Sequence, residues 1–376
     1  MVQNKQSNTP KVKIQPKLAK LLETVKNPEQ AAEEIDLVYV NDTMPGISRR
    51  KIGKSYRYYS VSGNIIHDSK TLTRIKSLGV PPAYQQVWIC PLENGHLQAT
   101  AIDARGRKQY RYHPRWRKFR SQINHLRMLQ FGAALPTIRK KIERDLNQPD
   151  QTKTKILATI VKLMDLTTIR VGNQEYAKEN ASYGLTTMRE KHVKVNNNKI
   201  RFEFKGKSNK KHTIEINNKK LARIIQNCVD MPGYELFQYF DEDGQRHQVT
   251  SSDVNEYLRQ ISGEEFTAKD FRTWWGTVLA MTNLCTLIAL ETQKERKKAV
   301  IETVKKVSQK LGNTPSVCKK YYIYPGVVDK YLSGGLSFQQ QVRAEESESD
   351  LSLEEQAVLD FLKKEAQIMI TSSMTV

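Results

Sequence analysis

Residues 192–216 read HVKVNNNKIRFEFKGKSNKKHTIEI and alternate apolar with polar side chains over three short runs. Such alternation places every second side chain on one face of a strand, so each run predicts a half-buried β-strand. Turns rich in Asn, Gly and Lys separate the runs, which predicts a three-stranded antiparallel meander. The runs cover residues 192–195, 200–204 and 212–216, and the second turn covers residues 205–209.

Helical periodicity surrounds this β segment. Apolar residues recur at the helical period over residues 156–164 and 299–311, and Gly312 is a suitable C-cap for the second helix. From about residue 37 to 113, short runs broken by Gly and Pro indicate strands instead. Another helix is predicted to carry Leu279, Leu284, Leu287 and Ile288. The sequence therefore predicts an α+β fold, with a small β-rich N-terminal domain and a mostly α-helical domain into which the β meander is inserted.

The composition shifts along the chain suggest four segments. Residues 1–35 form a lysine-rich basic tail, with a possible short helix at 16–25, and residues 36–114 form the β-rich domain. Residues 115–340 form the mostly helical domain. Residues 341–376 turn acidic around an amphipathic helix whose apolar positions are Leu353, Val358, Leu359 and Leu362.

The charge balance restricts the partners of this protein. Lys and Arg number 61 against 40 Asp and Glu in 376 residues, which gives a formal net charge of +21. That excess favours a polyanionic partner, with nucleic acid first and an anionic membrane surface second. The most apolar stretch, residues 284–290, is far shorter than the roughly 20 residues that a membrane span needs. We therefore expect no membrane association.

Cysteine usage and the N-terminal composition indicate the compartment. The four cysteines are widely separated and form no CxxC pair, which disfavours structural zinc and a disulfide framework. The first residues lack the apolar core of a secretory signal. We expect a cytoplasmic protein without a metal site.

The densest chemical signal is the basic and aromatic stretch RGRKQYRYHPRWRKFR at residues 105–120. Its cations suit phosphates, and its tyrosine and tryptophan rings suit contacts with sugars or bases. The alternative is a solvated basic face whose rings belong to the core. The number of rings favours nucleic acid.

Nucleotide binding can be tested on two Gly-Lys-Ser triplets, at residues 53–55 and 206–208. A P-loop needs another glycine five residues before the Gly-Lys pair. Ser48 and Arg201 occupy those positions, so neither triplet qualifies. We expect neither a bound nucleotide nor any other cofactor.

Five segments resemble, in order, those of the poxvirus-type and bacterial type IB DNA topoisomerases. The resemblance spans roughly residues 45–335. The N-terminal signature is found at residues 88–114. The first-arginine segment is IRVGNQEY at 169–176, the lysine segment FKGK at 204–207, the second-arginine segment KDFRTW at 269–274, and the nucleophile segment LGNTPSVCKKYY at 311–322.

The resemblance implies an ATP-independent enzyme that relaxes supercoiled double-stranded DNA. A tyrosine would attack one strand to give a 3′-phosphotyrosyl link, the free strand would rotate, and the 5′-hydroxyl would reseal the break. The family also implies a C-shaped clamp around DNA. From the sequence we further expect a monomer and a nucleoid-associated location in the cytoplasm.

The resemblance implies roles for five catalytic residues. Arg170 and Arg272 would stabilise the non-bridging phosphate oxygens, and Lys207 would donate a proton to the leaving 5′-oxygen. The family nucleophile lies nine residues after the position of Asn313, which selects Tyr322 over its neighbours Tyr321 and Tyr324. Poxvirus enzymes have histidine where this chain has Asn313, and asparagine resembles the bacterial branch. Its amide still donates a hydrogen bond but carries no charge.

Nine further residues are candidate DNA contacts. Tyr110, Tyr112 and Tyr176 match family positions near the cleavage site, with core or interdomain packing as the alternative, and Lys269 is a possible second proton donor or phosphate contact. The cationic and polar residues around the first two complete the set, which is Lys269, Tyr110, Tyr112, Tyr176, Arg107, Lys108, Arg105, Gln109 and Arg111.

Two other functions are compatible with parts of this pattern. A tyrosine recombinase uses the same chemistry, but it favours histidine at the position of Lys269 and lacks the N-terminal signature. A non-catalytic DNA- or RNA-binding protein is the other alternative, although no candidate catalytic position is destroyed.

Overall fold

The computed structural model describes residues 27–149, 151–231, 233–287, 290–336 and 351–372. These residues form two compact units, which are divided along the chain between Arg127 and Met128. The predicted helix at 16–25, most of the predicted basic tail and residues 341–350 of the acidic segment lie outside the described residues.

The N-terminal unit contains a five-stranded antiparallel sheet and two helices. Its strands are β1 (Ile47–Ile52), β2 (Ser55–Tyr59), β3 (Gln85–Ile89), β4 (Leu97–Ile102) and β5 (Lys108–Tyr112). They are arranged in the order β2-β1-β3-β4-β5. The helices are α1 (Pro28–Glu33) and α2 (Ser69–Ser77). A β-rich N-terminal region is therefore confirmed.

One face of this sheet forms the core of the unit. The buried residues are apolar and come from alternate strand positions and from α2: Ile47, Ile75, Val87, Ile89, Ala99 and Ala101. Strand β5 lies beside β4 at one edge of the described sheet, with Tyr110 and Tyr112 exposed.

Helix α1 corrects the predicted extent of the basic tail. Ala31 and Ala32 are buried against Trp116 and Phe119, so the folded unit begins before residue 36. The two apolar residues of this short helix are adjacent and show no helical repeat, so the lysines that precede them dominate the sequence pattern.

Ten of the described helices make up the rest of the fold. Helix α3 (Pro114–Leu146) begins at the predicted domain boundary and continues into the C-terminal unit. The others are α4 (Lys153–Thr167), α5 (Gln174–Asn180), α6 (Lys219–Val229), α7 (Ser251–Ser262), α8 (Ala268–Cys285), α9 (Gln293–Lys310), α10 (Pro315–Tyr321), α11 (Pro325–Leu332) and α12 (Leu353–Ser372). The predicted helical character of this region is confirmed.

A three-stranded antiparallel sheet lies within this helical unit. It consists of β6 (Val193–Asn196), β7 (Lys199–Gly206) and β8 (Lys210–Asn217), in that order, and the turn between β7 and β8 is the 3-10 segment Lys207–Asn209. Ile200 and Phe202 are fully buried on one face of the sheet. A separate hairpin is formed by β9 (Gln238–Phe240) and β10 (Arg246–Gln248).

Some predicted helix positions differ from the structure. Helix α8 ends at Cys285, so Leu287 lies beyond it, and Ile288 is outside the described residues. In α12 Leu353 is 76% exposed, because it occupies the first turn, before the buried face begins. Within the described part of the chain, none of the helices combines the length and the apolar character needed to cross a bilayer.

Candidate active site

Arg170 lies just after α4, where the chain leaves the helix through Thr168 in a left-handed conformation (φ 59°). The N–H of Leu185 donates to the carbonyl of Arg170 at 2.9 Å and fixes this segment. The guanidinium of Arg170 donates to the carbonyl of Gly312 at 3.1 Å and to the side-chain oxygen of Asn313. Burial lowers the pKa of Arg170, so the site holds a cation that is poorly solvated by water.

Arg272 projects from the second turn of α8 and is 5% exposed. Its Nη1 donates to the carbonyl of Thr168 and its Nη2 to the carbonyl of Leu311 at 2.7 Å. Burial, followed by the charge of the nearby Arg170, lowers the pKa of Arg272. Two like charges held together in a buried site favour an anionic ligand.

Residues 311–313 present acceptors to three cations. The carbonyl of Leu311 accepts from Arg272 and that of Gly312 from Arg170, while the carbonyl of Asn313 accepts from Nζ of Lys210 at 2.5 Å. Gly312 has φ +62°, which a residue with a side chain rarely adopts. The glycine that ends α9 therefore turns three consecutive residues toward the two arginines.

Tyr322 lies directly after α10, beside the same arginine. The centre of its ring is 5.2 Å from Cζ of Arg272. Helix α8 also holds its backbone, because a Cβ at Gly276 would lie 2.3 Å from the carbonyl oxygen of Tyr322. The hydroxyl of Thr277 accepts from the N–H of Tyr324 at 3.1 Å. The helix that carries Arg272 thus also sets the position of Tyr322.

Two N–H groups in this cluster lack a hydrogen-bond partner among the described residues. They are Nε of Arg272 and Nδ2 of Asn313, and both atoms are buried. Buried donors are nearly always paired in folded proteins, so each unpaired one requires an explanation. Two such donors, on side chains that both contact the Arg170 segment or residues 311–313, indicate a site built for an acceptor that comes from outside the chain.

Lys207 lies in the turn between β7 and β8 with an exposed side chain. Its Nζ is 5.8 Å from the ring centre of Tyr176, which belongs to α5. The preceding residue, Gly206, lines the same small cavity as Arg170 and Arg272. The turn therefore places the lysine at the edge of the arginine cluster.

Lys269 lies in the first turn of α8, one turn before Arg272, with its side chain exposed. The structure brings Arg170, Arg272, Asn313 and Tyr322 together, and Gly206, the residue before Lys207, lines the cavity of the two arginines. Across the described residues, no group of three or more His, Cys, Asp or Glu side chains could hold a metal ion.

His212 also belongs to this site, although no sequence motif pointed to it. Its ring stacks on Phe204 at 5.1 Å, and a Cβ at Gly312 would lie 2.3 Å from it. Burial, followed by the charges of Arg170, Arg272 and Lys210, lowers the pKa of His212. A usable signal was present, since strand alternation places His212 on the same face as the apolar residues of β8.

His212 predicts a pH-dependent stability. Because its pKa is lowered in the folded protein, the unfolded chain binds the proton first as the pH falls. The contribution of neutral His212 to the free energy of unfolding is therefore complete above the ordinary pKa of 6.5. Below that pH it declines, by at most about 1.4 kcal/mol per pH unit. We expect His212→Gln to flatten the dependence of unfolding free energy on pH between 7 and 5, as measured by denaturant titration. The exposed His67 offers a matched control, and an unchanged slope for His212→Gln would contradict the assignment.

The residues of the N-terminal unit that were predicted to contact DNA fall into two groups. Tyr110 and Tyr112 are 46% and 37% exposed, and their rings lie nearly parallel with centres 6.0 Å apart. Lys108 extends beside Tyr110 and forms an ion pair with Asp42 at 2.6 Å. The two tyrosines thus form an open aromatic surface on the edge strand.

The other polar residues of this region converge on Asp103. Its carboxylate accepts from the backbone N–H of Arg105, from the backbone and side chain of Arg107, and from the side chain of Gln109. The side-chain hydrogen bond of Arg107 is the main cause that lowers the pKa of Asp103 to about 2. Arg111 donates to the carbonyl of Gly79 at 3.2 Å. Arg107, Gln109 and Arg111 therefore also have internal partners that order this turn.

One ring of the basic stretch was misinterpreted. Trp116 and Phe119 are buried in the N-terminal unit, so the prediction of a nucleic-acid contact for Trp116 is wrong. The helical period of α3 turns these rings inward while the arginines and lysines between them stay at the surface.

Two arginines beside a tyrosine suit the charge and the non-bridging oxygens of a phosphate group, which points to the class of enzymes that act on phosphodiesters. Comparison with known proteins identifies the family. Residues 113–348 match the family model described as eukaryotic DNA topoisomerase I, catalytic core, and residues 55–103 match the bacterial DNA topoisomerase IB N-terminal domain.

Viral relatives agree with both matches. DNA topoisomerase 1B of Acanthamoeba polyphaga mimivirus is 33% identical over 295 residues, which cover 77% of this chain and 88% of the relative. DNA topoisomerase 1B of Vaccinia virus (strain Copenhagen) is 23% identical over 65% of this chain and 75% of the relative. DNA topoisomerase 1 of Rabbit fibroma virus (strain Kasza) is 24% identical over 75% of this chain and 88% of the relative. The chain belongs to the type IB DNA topoisomerase family.

Proposed function

We propose that this protein relaxes supercoiled DNA by cutting and resealing one strand through a covalent tyrosine intermediate. The observation that carries the proposal is the pair of buried, unpartnered donors on Arg272 and Asn313, together with the ring of Tyr322 5.2 Å from the guanidinium of Arg272. A phosphodiester has two non-bridging oxygens that can accept from these donors. Its negative charge also matches the poorly solvated arginines.

In the proposed reaction, the oxygen of Tyr322 attacks phosphorus in line with the 5′-oxygen. The phenol of the half-buried Tyr322 gives its proton to solvent, the bond to the 5′-oxygen breaks, and a 3′-phosphotyrosyl bond forms. Arg170, Arg272 and Asn313 stabilise the charge that grows on the non-bridging oxygens. Because they are already fixed by carbonyls and by one another, little reorganisation accompanies the reaction.

Lys207 protonates the departing 5′-oxygen. An alkoxide is a poor leaving group, so a positioned acid accelerates cleavage, and the same lysine as a base assists religation. The phosphodiester energy is kept in the tyrosyl bond between the two steps. The proposed cycle therefore consumes no nucleotide, and rotation of the free strand removes supercoils.

The proposed DNA surface includes residues of both units. The stacked Tyr110 and Tyr112 and the cations near them would contact the duplex, and Tyr176 and Lys269 would contact it near the cleavage site. The family resemblance supports a clamp around DNA. A monomeric state and a nucleoid-associated cytoplasmic location are predictions from the sequence alone.

A tyrosine recombinase is less consistent with the chain. The match to the bacterial topoisomerase IB N-terminal domain covers residues 55–103, and Lys269 stands where recombinases favour histidine. A DNA-binding protein without activity would have no need for buried, unpartnered donors beside a tyrosine.

Plasmid relaxation tests the proposed function. We expect the full chain to relax both negatively and positively supercoiled plasmid with EDTA present and ATP absent, as read by gel electrophoresis. A protein that binds the plasmid tightly but leaves its linking number unchanged would contradict the proposal.

Asn313 offers a test of the oxyanion contact. Asn313→Ala removes the unpartnered Nδ2 donor and is expected to slow single-turnover cleavage by about 10²-fold, with little change in DNA affinity. Asn313→Asp is the sharper comparison, because it keeps the size but replaces the donor by an anion. Equal cleavage by the wild type and Asn313→Ala would remove Asn313 from the catalytic set.

A further inference from the structure

The C-terminal helix α12 supplies a buried carboxylate behind the candidate active site. Glu355 is 2% exposed, although it belongs to the acidic end of the chain. Both of its oxygens accept from Arg139 of α3, at 2.9 Å and 2.8 Å. One also accepts from the indole of Trp274 at 3.0 Å, and the other from the backbone N–H of Ser352 at 3.0 Å.

Arg139 is shared with a second buried carboxylate, that of Asp165 on α4. Its Nε and Nη2 donate to Asp165 at 2.8 Å and 3.0 Å, and the indole of Trp275 donates to Asp165 at 3.0 Å. We call Arg139, Asp165, Trp274, Trp275 and Glu355 the carboxylate bridge. Each carboxylate accepts two hydrogen bonds from the guanidinium of Arg139, so both contacts are strongly directional.

The carboxylate bridge joins the two elements that carry the arginines. Asp165 lies five residues before Arg170, near the end of α4. Trp274 lies two residues after Arg272 on α8. The carbonyl of Thr168, between Asp165 and Arg170, accepts from Arg272 itself. A shift between α4 and α8 would therefore change the separation of the two guanidinium groups.

Helix α12 also touches the segment that follows Tyr322. The ring of Phe361 is 6.2 Å from that of Tyr324, and Glu365 lies 3.6 Å from Lys330 of α11. The family model of the catalytic core ends at residue 348, before this helix begins. Helix α12 thus connects the arginine helix with the nucleophile segment from outside the matched core.

We infer that Glu355 is a positioning residue for the reaction, which holds Arg170 and Arg272 at the separation that the scissile phosphate requires. The inference rests on the proposed function. Burial alone would raise the pKa of Glu355, but hydrogen bonds from Arg139, Ser352 and Trp274 keep it below its ordinary value, so the group stays ionised. A glutamine cannot replace it, because its NH₂ group would face donors on either side.

The test compares Glu355→Gln with Glu354→Gln in the full chain. Glu354 is the exposed neighbour on the same helix, so the control makes the same chemical change without touching the carboxylate bridge. We expect Glu355→Gln to slow single-turnover cleavage at saturating DNA by about 10-fold or more, since sub-ångström displacement of catalytic groups is costly. DNA affinity, measured in a Tyr322→Phe background, should stay within about 3-fold of the unmutated value, because positioning acts on the reacting phosphate.

A modified substrate separates positioning from general destabilisation. A methylphosphonate at the scissile position replaces one charged oxygen by a methyl group, which reduces what the arginines stabilise. Glu355→Gln should then slow cleavage of this substrate by less than about 3-fold relative to wild type. Should Glu355→Gln not fold, Trp274→Phe removes one hydrogen bond of the carboxylate bridge while keeping an aromatic ring, and the same selective loss is expected.

The outcomes distinguish a failure of the positioning role of Glu355 from a failure of the proposed function. If the folded Glu355→Gln protein cleaves like Glu354→Gln, or loses equal rate on both substrates, the positioning role is overturned while the proposed function stands. If the wild type forms no covalent complex with DNA, the proposed function fails and this inference fails with it.

Discussion

Replacing Tyr322 with phenylalanine is expected to abolish plasmid relaxation, with a loss of at least about 10⁴-fold in the cleavage rate. The change removes a single oxygen, and no other group in the cluster forms the covalent bond in its place. The ring would keep its contact with Arg272, 5.2 Å away, so the arginines should stay in position. DNA affinity at fixed salt should therefore change little. The measurement is the covalent protein–DNA complex trapped by denaturant, alongside the relaxation assay.

The neighbouring tyrosines provide matched controls for this prediction. Tyr321 is 50% exposed at the end of α10, whereas Tyr324 is buried and bonded through its backbone to Thr277. Tyr321→Phe and Tyr324→Phe make the same chemical change within three residues of the proposed nucleophile, and both should still form the covalent complex. A Tyr322→Phe protein that relaxes plasmid would move the nucleophile to another residue, with Tyr321 first because it is accessible.

Much of the local structure around this site could be predicted from sequence because it depends on periodicity. Residues 200–204 alternate, and β7 indeed buries Ile200 and Phe202. The apolar repeat at 299–311 appears as α9, and Gly312 follows it with a positive φ. These features depend on contacts between near neighbours in the chain, and such contacts leave a pattern that a single sequence displays.

The partners of individual charges could not be predicted in this way. Arg107 and Gln109 were assigned to DNA from the basic stretch, yet both donate to Asp103. Likewise, Glu355 belongs to a segment predicted as an acidic amphipathic helix, in which this residue had no assigned role, and it is buried against Arg139, which is 216 residues away. Periodicity says which face of an element is buried, but it does not say what packs against that face.

His212 shows the same limit within the site. Alternation along β8 places it on the inner face, opposite Phe204 across the strand pair. Nothing in that pattern indicates that Arg170 and Arg272, which lie more than 40 residues away on either side, approach the same ring. The sequence motifs pointed to Arg170, Arg272, Asn313 and Tyr322. His212, whose ring lies against residue 312, could be found only from the tertiary structure.

Lys207→Ala is expected to slow cleavage of ordinary DNA by about 10²- to 10⁴-fold, the usual contribution of a general acid. The side chain is exposed at the end of the β7–β8 hairpin, so its removal should not unfold the sheet. The same loss would follow if Lys207 only bound a phosphate, so the rate on ordinary DNA does not identify the role. A substrate whose leaving 5′-oxygen is replaced by sulfur does, because a thiolate departs without a proton.

On the sulfur-containing substrate we expect Lys207→Ala to cleave within about 10-fold of the wild type, since the step that the lysine assists no longer needs an acid. Lys205→Ala and Lys211→Ala are the matched controls, because these exposed lysines form a cross-strand pair next to the same turn. They should behave alike on both substrates. A Lys207→Ala defect of equal size on oxygen and sulfur would assign the lysine to phosphate binding. The proton would then come from another donor, and Lys269, in the first turn of the arginine helix, is the next residue to substitute.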